Sequence, residues 1–356
     1  MKIIQLLPTL AFGDAVGNDT MALMQVIREM GYETGIYAES IDDRIKDKAV
    51  KPAYKVPYMK PEDILIYHMS IGSQLTYAIP EFNCRKIMIY HNVTPPEFLE
   101  AYNPFTADAC REGLKQVTYL ADKFDYCLAD SEFNKQELIR MGYTCPIDVL
   151  PILIPFEDYK KTPSKRVLRR YRDHKTNILF TGRIAPNKKQ ENVIKSFYYY
   201  KKYINPDSRL FLVGSYYGME NYYHSLKAFV ERLQLEDVCF TGQIKFNEVL
   251  AYYHLADVFL CMSEHEGFCV PLAEAMDFRI PIIAYDSSAI GDTLGGSGIL
   301  LKEKDHKVAA EMAGRLMTDQ KLREDVIYNQ NVRLKDFEHG TIKKQFEKYM
   351  KTFIGE

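Results

Sequence analysis

Two glutamates, Glu266 and Glu274, are separated by seven residues, with Gly267 in the loop after the first and a helix start at Pro271. An apolar run from 257 to 261 precedes this loop and indicates a buried parallel strand. Glycine lets backbone amides approach a ligand, and a helix start turns unpaired N–H groups and partial positive charge toward the same place. The segment therefore suits a ligand that carries phosphate, with two carboxylates beside it to accept hydrogen bonds from hydroxyl groups.

A second segment, about 80 residues earlier, supplies the opposite charge. It reads Gly-Arg-Ile-Ala-Pro-Asn-Lys from Gly182 to Lys188 and follows a predicted strand at 177–181. Arg183 and Lys188 lie five residues apart on a strand-to-helix turn, so both side chains can reach inward. Together they can neutralise a diphosphate leaving group.

The two segments carry a family resemblance. Glu-Gly-Phe-x-x-Pro-x-x-Glu-Ala, from Glu266, resembles the E-x7-E signature of the family-four retaining glycosyltransferases, which have the glycosyltransferase-B fold. The Gly-Arg-x-x-Pro-x-Lys segment is similar to their second signature. Cys269 departs from the pattern, because the family more often has glycine there, but cysteine is small enough to keep the loop. Each motif alone also fits an ordinary strand-turn-helix; their order and spacing favour the family.

This resemblance implies retaining transfer of a hexosyl group from a nucleotide-diphosphate sugar to a hydroxyl acceptor such as a glycan, a lipid-linked saccharide or a small molecule. Arg183, Lys188 and Glu266 would be catalytic, with His91 near the reacting centre of the sugar; Glu274 would hold the ribose. The implied donor contacts are Gly13, Gly214, Ile244, Glu266, Gly267, Phe268, Cys269, Val270 and Glu274, and the implied acceptor contacts are Asn18, Ser70 and Asn92.

Strand-like and helix-like stretches alternate along the chain, which predicts an α/β protein with parallel sheets. We expect two Rossmann-like domains that face an interdomain cleft. A first strand at 2–7 leads into a glycine loop, 8–19, and then a helix from Thr20 to Met30 capped by Asp19 or Thr20. Ser131 is expected to cap a later helix.

Two histidines, His68 and His91, follow predicted strands at the edge of the sheet expected to receive ligands. A histidine at a strand end is commonly a hydrogen-bonded scaffold residue. The resemblance selects His91 for a role beside the sugar, and His68 is the lesser candidate.

The predicted domains are an acceptor-binding domain at 1–156, completed by a C-terminal helix at 341–356, and a donor-binding domain at 176–340, joined by a linker at 157–175. Eight cations in and next to the linker, between Lys160 and Lys175, allow two interpretations. The segment is a solvated linker and first helix, or it is a patch for anionic lipid headgroups or a lipid-diphosphate acceptor.

Bulk properties limit the class of protein. The chain has 356 residues, a formal charge of −2 and seven scattered cysteines without CxxC spacing, which disfavours nucleic-acid binding, a disulfide framework and a zinc site. The lack of a signal-like or spanning segment predicts a cytoplasmic location, with a peripheral position at the inner face of the membrane as the variant. We find no Asp-x-Asp motif and expect no bound metal or cofactor.

The alternatives to an active transferase are a nucleotide-sugar epimerase on the same fold and a non-catalytic nucleotide-sugar-binding protein. The epimerase is disfavoured by the paired signature, and a periplasmic binding protein by the absence of a signal peptide. A silent subunit of a transferase complex would be expected to have lost Arg183, Lys188 or Glu266, and all three are present.

Overall fold

A computed structural model describes residues 1–355. The strands are β1 Lys2–Leu10, β2 Glu33–Ile41, β3 Val50–Pro52, β4 Ile64–Met69, β5 Arg85–Tyr90, β6 Tyr126–Ala129, β7 Ile147–Val149, β8 Thr176–Thr181, β9 Ser208–Val213, β10 Val238–Phe240, β11 Val258–Cys261, β12 Ile282–Tyr285 and β13 Ile299–Leu301. The helices are α1 Ala15–Glu29, α2 Pro104–Tyr119, α3 Glu132–Arg140, α4 Phe156–Tyr159, α5 Lys165–Arg170, α6 Gln190–Tyr203, α7 Glu220–Arg232, α8 Phe246–Leu255, α9 Val270–Asp277, α10 Ile290–Leu294, α11 His306–Thr318, α12 Gln320–Leu334 and α13 His339–Ile354.

These elements form two compact units. The first unit comprises residues 1–96, 105–155 and 336–356, and the second comprises 97–104 and 156–335. The first unit contains a seven-stranded sheet in the order β3-β2-β1-β4-β5-β6-β7, and the second a six-stranded sheet in the order β10-β9-β8-β11-β12-β13. All strand pairs are parallel, so the predicted fold class, two α/β units with parallel sheets, is confirmed.

Residues of the terminal helix α13 complete the core of the first unit. Ile342, Phe346 and Met350 recur at helical spacing, are fully buried, and pack with apolar side chains of β1, β4, β5 and α1. Parallel strands are covered on both faces, which explains why β4 is buried along its whole length and reads as an apolar run in the sequence.

Helix α1 begins earlier than the sequence predicts. The Asp14 side chain accepts a hydrogen bond from the Gly17 backbone at 2.6 Å and is the N-cap, so the glycine loop is short and the predicted cap at Asp19 or Thr20 is wrong. Both residues lie inside the helix: Thr20 Oγ1 donates to the Val16 carbonyl, and Asp19 Oδ1 accepts from the Leu153 backbone N–H at 2.8 Å. The predicted cap of α3 at Ser131 is confirmed.

Residues 97–104 lie in the sequence between elements of the first unit but belong to the second unit. Within that unit, the ring of Tyr102 meets that of Tyr222 at 5.0 Å between centroids, and Asn103 Nδ2 donates to the Gly218 carbonyl at 2.6 Å. The sequence predicts that this segment belongs to the first domain, because the prediction follows the order of the chain. Contacts with residues more than 100 positions away are not visible in that order.

The basic segment at 157–175 contains α4, α5 and several ion pairs. Lys160, Lys161, Arg166 and Lys175 contact the carboxylates of Glu157, Asp158, Glu248 and Asp237, respectively. These cations are therefore partly neutralised within the second unit. Among residues 1–355, no helix combines the length and the apolar character needed to cross a bilayer.

Candidate active site

The second unit brings together the two charged signatures. Lys188 ends a 3-10 turn, Pro186–Lys188, after β8, and Glu266 lies in the loop after β11, which is the neighbour of β8 in the sheet. Lys188 Nζ lies 2.5 Å from Glu266 Oε2, with 21% of the lysine side chain and 8% of the glutamate side chain exposed. Burial opposes the charge of Lys188, but the Glu266 carboxylate outweighs it and raises the pKa of the lysine. The ammonium group is held charged in a largely dry position.

Backbone contacts fasten the two loops to each other. The Glu264 backbone N–H donates to the Asn187 carbonyl at 2.8 Å, and Asn187 Nδ2 donates to the His265 carbonyl at 3.0 Å. On the other side, the Glu266 N–H donates to Ser288 Oγ at 2.8 Å. The position of the Lys188–Glu266 pair is therefore set by the loop backbones as well as by its own charge.

Arg183 also lies at the carboxyl end of β8 and is exposed. Its guanidinium donates to the Tyr217 carbonyl at 3.1 Å, which directs it toward the loop after β9. That loop begins at Gly214, which has a φ of +152°, and a Cβ there would lie 2.0 Å from the Gly182 carbonyl oxygen. Only glycine permits the two loops to approach so closely, so Gly214 has a steric role in building the site.

Glu274, one turn into α9, is held by two tyrosines. Tyr159 donates to Oε1 at 2.5 Å, Tyr253 donates to Oε2, and the Tyr253 oxygen in turn lies 2.5 Å from Thr181 Oγ1 at the end of β8. Burial raises the pKa of Glu274, and the tyrosine hydroxyls oppose that shift. Each carboxylate oxygen can accept a further hydrogen bond, so the two tyrosines orient the carboxylate of Glu274 without using all of its acceptor positions.

The loop between the glutamates is tightly built. Phe268 and Cys269 are buried, the Phe268 carbonyl accepts a hydrogen bond from Thr293 Oγ1, and Cys269 caps α9 in the left-handed conformation at φ +70°. Val270 is the first residue of α9. The side chains of Phe268 and Cys269 therefore help to fix the loop between the two glutamates.

Ile244 lies beside a cavity of about 390 Å³ in the second unit. Side chains around it include Arg166, Arg170, Tyr171, Lys227 and Thr241. The predicted donor contact at Ile244 thus adjoins a cavity lined by both aromatic and cationic side chains.

In the first unit, the two histidines form one buried hydrogen-bonded row. Gln5 Oε1 lies 2.9 Å from His68 Nε2, His68 Nδ1 lies 2.8 Å from His91 Nε2, and His91 Nδ1 lies 2.9 Å from Asp130 Oδ2. Gln5 Nε2 donates to the Thr20 carbonyl, so its Oε1 is an acceptor and His68 Nε2 carries a proton. His68 Nδ1 then accepts from His91 Nε2, which leaves one proton between His91 and Asp130.

The pKa values of the two histidines shift in opposite directions. Burial lowers the pKa of His68 well below its ordinary value. Burial also disfavours a charged His91, but the carboxylate of Asp130 outweighs it and raises the pKa of His91. With 1% of its side chain exposed and both ring nitrogens engaged, His91 is tied into the scaffold, and its contact with a sugar stays a prediction. His68, the lesser candidate from the sequence, accepts a hydrogen bond from His91 and helps to fix the orientation of the His91 ring.

The predicted acceptor residues also lie in the first unit, at the ends of its strands and on its first helix. Ser70 follows β4, and Asn18 is exposed on the first turn of α1. Asn92, after β5, is buried with φ +75° and donates to Asn134 Oδ1 and Glu137 Oε2. Its own Oδ1 is buried without a hydrogen-bond partner among the described residues. Gly13 is exposed at φ +80° in the shortened loop before α1.

One group of side chains in the second unit has the composition of a metal site. The sulfur atoms of Cys261 and Cys269 and a carboxylate oxygen of Glu266 lie within 4.8 Å of one another. Asp19, His68 and His91 in the first unit meet the same distance limit, but the facing nitrogens of the two histidines are engaged with each other.

Comparison with known proteins finds similarity mainly in the second unit. Residues 164–333 match the family described as glycosyl transferases group 1. The O-antigen chain mannosyltransferase B of Escherichia coli is 24% identical over 64% of this chain and 60% of its own length. A GDP-mannose-dependent alpha-mannosyltransferase of Mycobacterium tuberculosis is 28% identical over 61% of this chain and 54% of its own length. The chain spans 30% to 60% of the curated relatives that it matches.

Solved structures extend the likeness to the whole fold. Anabaena HepE in complex with UDP and glucose superposes with a TM-score of 0.75 at 17% identity, covering 99% of this chain and 100% of that one. Sucrose-phosphate synthase of Thermosynechococcus elongatus gives a TM-score of 0.78 at 16% identity, with both chains fully covered. Residues 164–333 therefore match the glycosyl transferases group 1 family, and the chain has the fold of these solved structures.

Proposed function

We propose that this protein is a retaining hexosyltransferase of the family-four type, which transfers a hexosyl group from a nucleotide-diphosphate sugar to a hydroxyl acceptor. The observation that carries the proposal is the contact between Lys188 and Glu266, which joins the two signatures on loops held together by their backbones. An ammonium group supplies charge for a diphosphate, and a carboxylate beside it supplies acceptors for sugar hydroxyls.

The proposed chemistry needs no nucleophile from the chain. The bond between the anomeric carbon and the donor phosphate oxygen breaks, and a bond to the acceptor oxygen forms on the same face of the sugar. The proton of the acceptor hydroxyl passes to the departing phosphate oxygen. Lys188, Arg183 and the N-terminus of α9 stabilise the negative charge that develops on the diphosphate, and no metal ion is assigned to that task.

Glu266 is assigned to the hydroxyl groups of the donor sugar and Glu274 to those of the ribose. Tyr159 and Tyr253 support the second assignment, since they fix the orientation of the Glu274 carboxylate before any ligand arrives. Preorganised acceptors bind hydroxyl groups without first having to reorient.

The names of the relatives guide the choice of substrates. Mannosyltransferases recur among them, two of which are named as GDP-mannose-dependent, and a structural neighbour was solved with UDP and glucose. GDP-mannose and UDP-glucose are therefore the first donors to test. Glycan or lipid-linked saccharide acceptors follow from the relatives that act on O-antigen chains.

A two-stage assay tests the proposal. A panel of nucleotide sugars is screened for stabilisation of the purified full chain against heat, since a matched ligand raises the melting temperature by mass action. Stabilising donors are then incubated with and without saccharide acceptors, and products are followed by NMR, which also reports the anomeric configuration.

We expect one donor to stabilise the protein and to give an α-linked product, or free sugar in water, from an α-linked donor. Stabilisation without turnover across all donors and acceptors would identify a non-catalytic binding subunit instead. An inverted product would contradict the retaining assignment.

A further inference from the structure

Two cysteine thiols lie close together at the two ends of the loop between β11 and α9, which carries Glu266. Cys261 is the last residue of β11 and Cys269 is the N-cap of α9; both are buried. Their sulfur atoms and a carboxylate oxygen of Glu266 all lie within 4.8 Å of one another. The proposed function uses Glu266 but leaves both thiols without a role.

The backbone conformation of Cys269 is unusual for a residue that carries a side chain. Its φ of +70° is a left-handed conformation, which costs energy for a residue with a side chain and none for glycine. A strained non-glycine residue at a functional loop is a reason to look for a role of its side chain.

The ligand set selects a class of cation. Two thiolates and one carboxylate suit a borderline-soft divalent ion of the zinc class, which binds sulfur at about 2.3 Å and oxygen at about 2.0 to 2.2 Å. Ligand atoms that already lie within 4.8 Å of one another need only small shifts to reach such distances. Magnesium and calcium, which prefer all-oxygen shells, do not fit.

The charges of these three ligands, of a bound divalent cation and of Lys188 also balance. Two thiolates, one carboxylate and a divalent cation leave one net negative charge, and the ammonium group of Lys188, 2.5 Å from Glu266, supplies the compensating positive charge. A neutral assembly is far less costly to bury than a charged one.

We propose that Cys261, Cys269 and Glu266 form a binding site for a thiophilic divalent cation. Binding displaces one proton from each thiol to solvent and changes no oxidation state. Because the cation takes Glu266, it removes that carboxylate from the donor sugar and blocks transfer. The inhibitory consequence rests on the proposed function, whereas the binding itself does not.

Cobalt(II) is the probe, because thiolate ligands give it charge-transfer absorption in the near ultraviolet. The reduced full chain is titrated without oxygen, alongside Cys261→Ala, Cys269→Gly and Cys145→Ala. The last variant is a matched control: Cys145 Sγ lies 3.6 Å from Cys127 Sγ in the first unit, so it tests whether any close thiol pair suffices.

The wild-type chain should bind one equivalent of cobalt and show the absorption of cobalt–thiolate bonds. Added zinc should displace the cobalt and remove that absorption. Cys261→Ala and Cys269→Gly should each weaken binding at least tenfold, and Cys145→Ala should leave it unchanged. Absence of the absorption, or its retention in both Cys261→Ala and Cys269→Gly, overturns the site.

An activity arm separates the two proposals. Zinc should inhibit transfer by the wild-type chain, and Cys261→Ala should need at least tenfold more zinc for the same inhibition. Equal sensitivity of the two proteins contradicts the inhibitory role. Failure to find any transfer activity while cobalt still binds would overturn the proposed function and leave the cation site standing.

Discussion

Lys188 Nζ and Glu266 Oε2 lie 2.5 Å apart, although 77 residues separate Lys188 from Glu266 in the chain. The contact exists because β8 and β11 are neighbours in a parallel sheet, so the loops at their carboxyl ends meet at one edge. It places a cation and a carboxylate together at the beginning of α9, where the helix adds further positive potential.

Removing the positive charge of Lys188 should lower the rate of transfer more than it lowers the stability of the fold. We expect Lys188→Ala and Glu266→Ala each to reduce transfer by about 10²-fold or more, as for loss of a charged contact in the transition state. Rates at saturating donor and acceptor measure this effect, and circular dichroism checks the fold.

Lys189→Ala is the matched control for Lys188→Ala. Lys189 is the next residue, and its ammonium group lies 3.5 Å from Glu264 and 3.7 Å from Glu191 rather than beside Glu266. We expect a change of less than about threefold, as for a partly exposed pair. If Lys188→Ala and Glu266→Ala both keep full turnover, the catalytic assignment is wrong.

The hydrogen bond from Tyr159 to Glu274 predicts an effect on the binding of nucleoside diphosphates. Tyr159→Phe removes the hydrogen bond to Oε1, so we expect nucleoside diphosphate to bind about 5- to 15-fold more weakly, equivalent to about 1 to 1.5 kcal/mol. The preference for the ribonucleotide over its 2′- and 3′-deoxy analogues should shrink in the variant.

Calorimetric titration of GDP, UDP and their deoxy analogues provides the measurement. Tyr203→Phe, an exposed tyrosine at the end of α6, is the control and should bind like the wild type. Unchanged discrimination in Tyr159→Phe would show that this tyrosine does not position Glu274 for the ribose.

The buried carboxyl of Asp19 predicts a pH dependence of stability. Burial, with a further contribution from the charge of Asp130, raises the pKa of Asp19 to about 7, although the charge of His91 and the Leu153 N–H oppose the shift. The folded protein then holds a proton that the unfolded chain, with a pKa near 3.8, has released. Stability from this group therefore falls as pH rises from about 4 to about 7, by about 1.4 kcal/mol per pH unit.

Asp19→Asn removes this titration and can still accept the hydrogen bond from Leu153. Urea unfolding at several pH values should give the variant a flatter profile, with its greatest relative gain above pH 7. His68, His91, Asp14 and Asp130 remain in both proteins, so the difference between the two curves reports Asp19 together with its effect on the charges of His91 and Asp130. Parallel curves would contradict the raised pKa.

Removal of metal ions should leave transfer unimpaired. The charge of the leaving diphosphate is assigned to Lys188, Arg183 and the N-terminus of α9, so dialysis against EDTA should not lower the rate. Initial rates before and after dialysis test this, with added magnesium and manganese as comparisons. A strict requirement for either ion would contradict the assignment.

The sequence predicts features that depend on local pattern. The strands predicted at 177–181 and 257–261 correspond to β8 and β11 within one residue, because a buried parallel strand is a short apolar run with turn residues at its ends. The two motifs are predicted to serve one ligand, and the structure brings Lys188 and Glu266 into contact. That juxtaposition follows from the rule that neighbouring parallel strands end at one edge of the sheet.

Features that depend on distant partners were missed. Tyr159 and Tyr253 reach Glu274 from α4 and α8, and nothing in the spacing of these residues marks them. The row that engages both nitrogens of His91 is assembled from four separate segments. The cap at Asp14 had a visible signal, since an aspartate three residues before Gly17 can cap a helix, but the two glycines in the loop masked it.

The most direct measurement of the central claim compares the affinities of a nucleoside diphosphate and its monophosphate, GDP with GMP and UDP with UMP, by calorimetric titration. If Lys188 and Arg183 bind the terminal phosphate, the diphosphate should bind at least about tenfold tighter in the wild type. That ratio should fall to nearly one in the Arg183→Ala/Lys188→Ala double variant. A ratio that is the same in both proteins would contradict the claim.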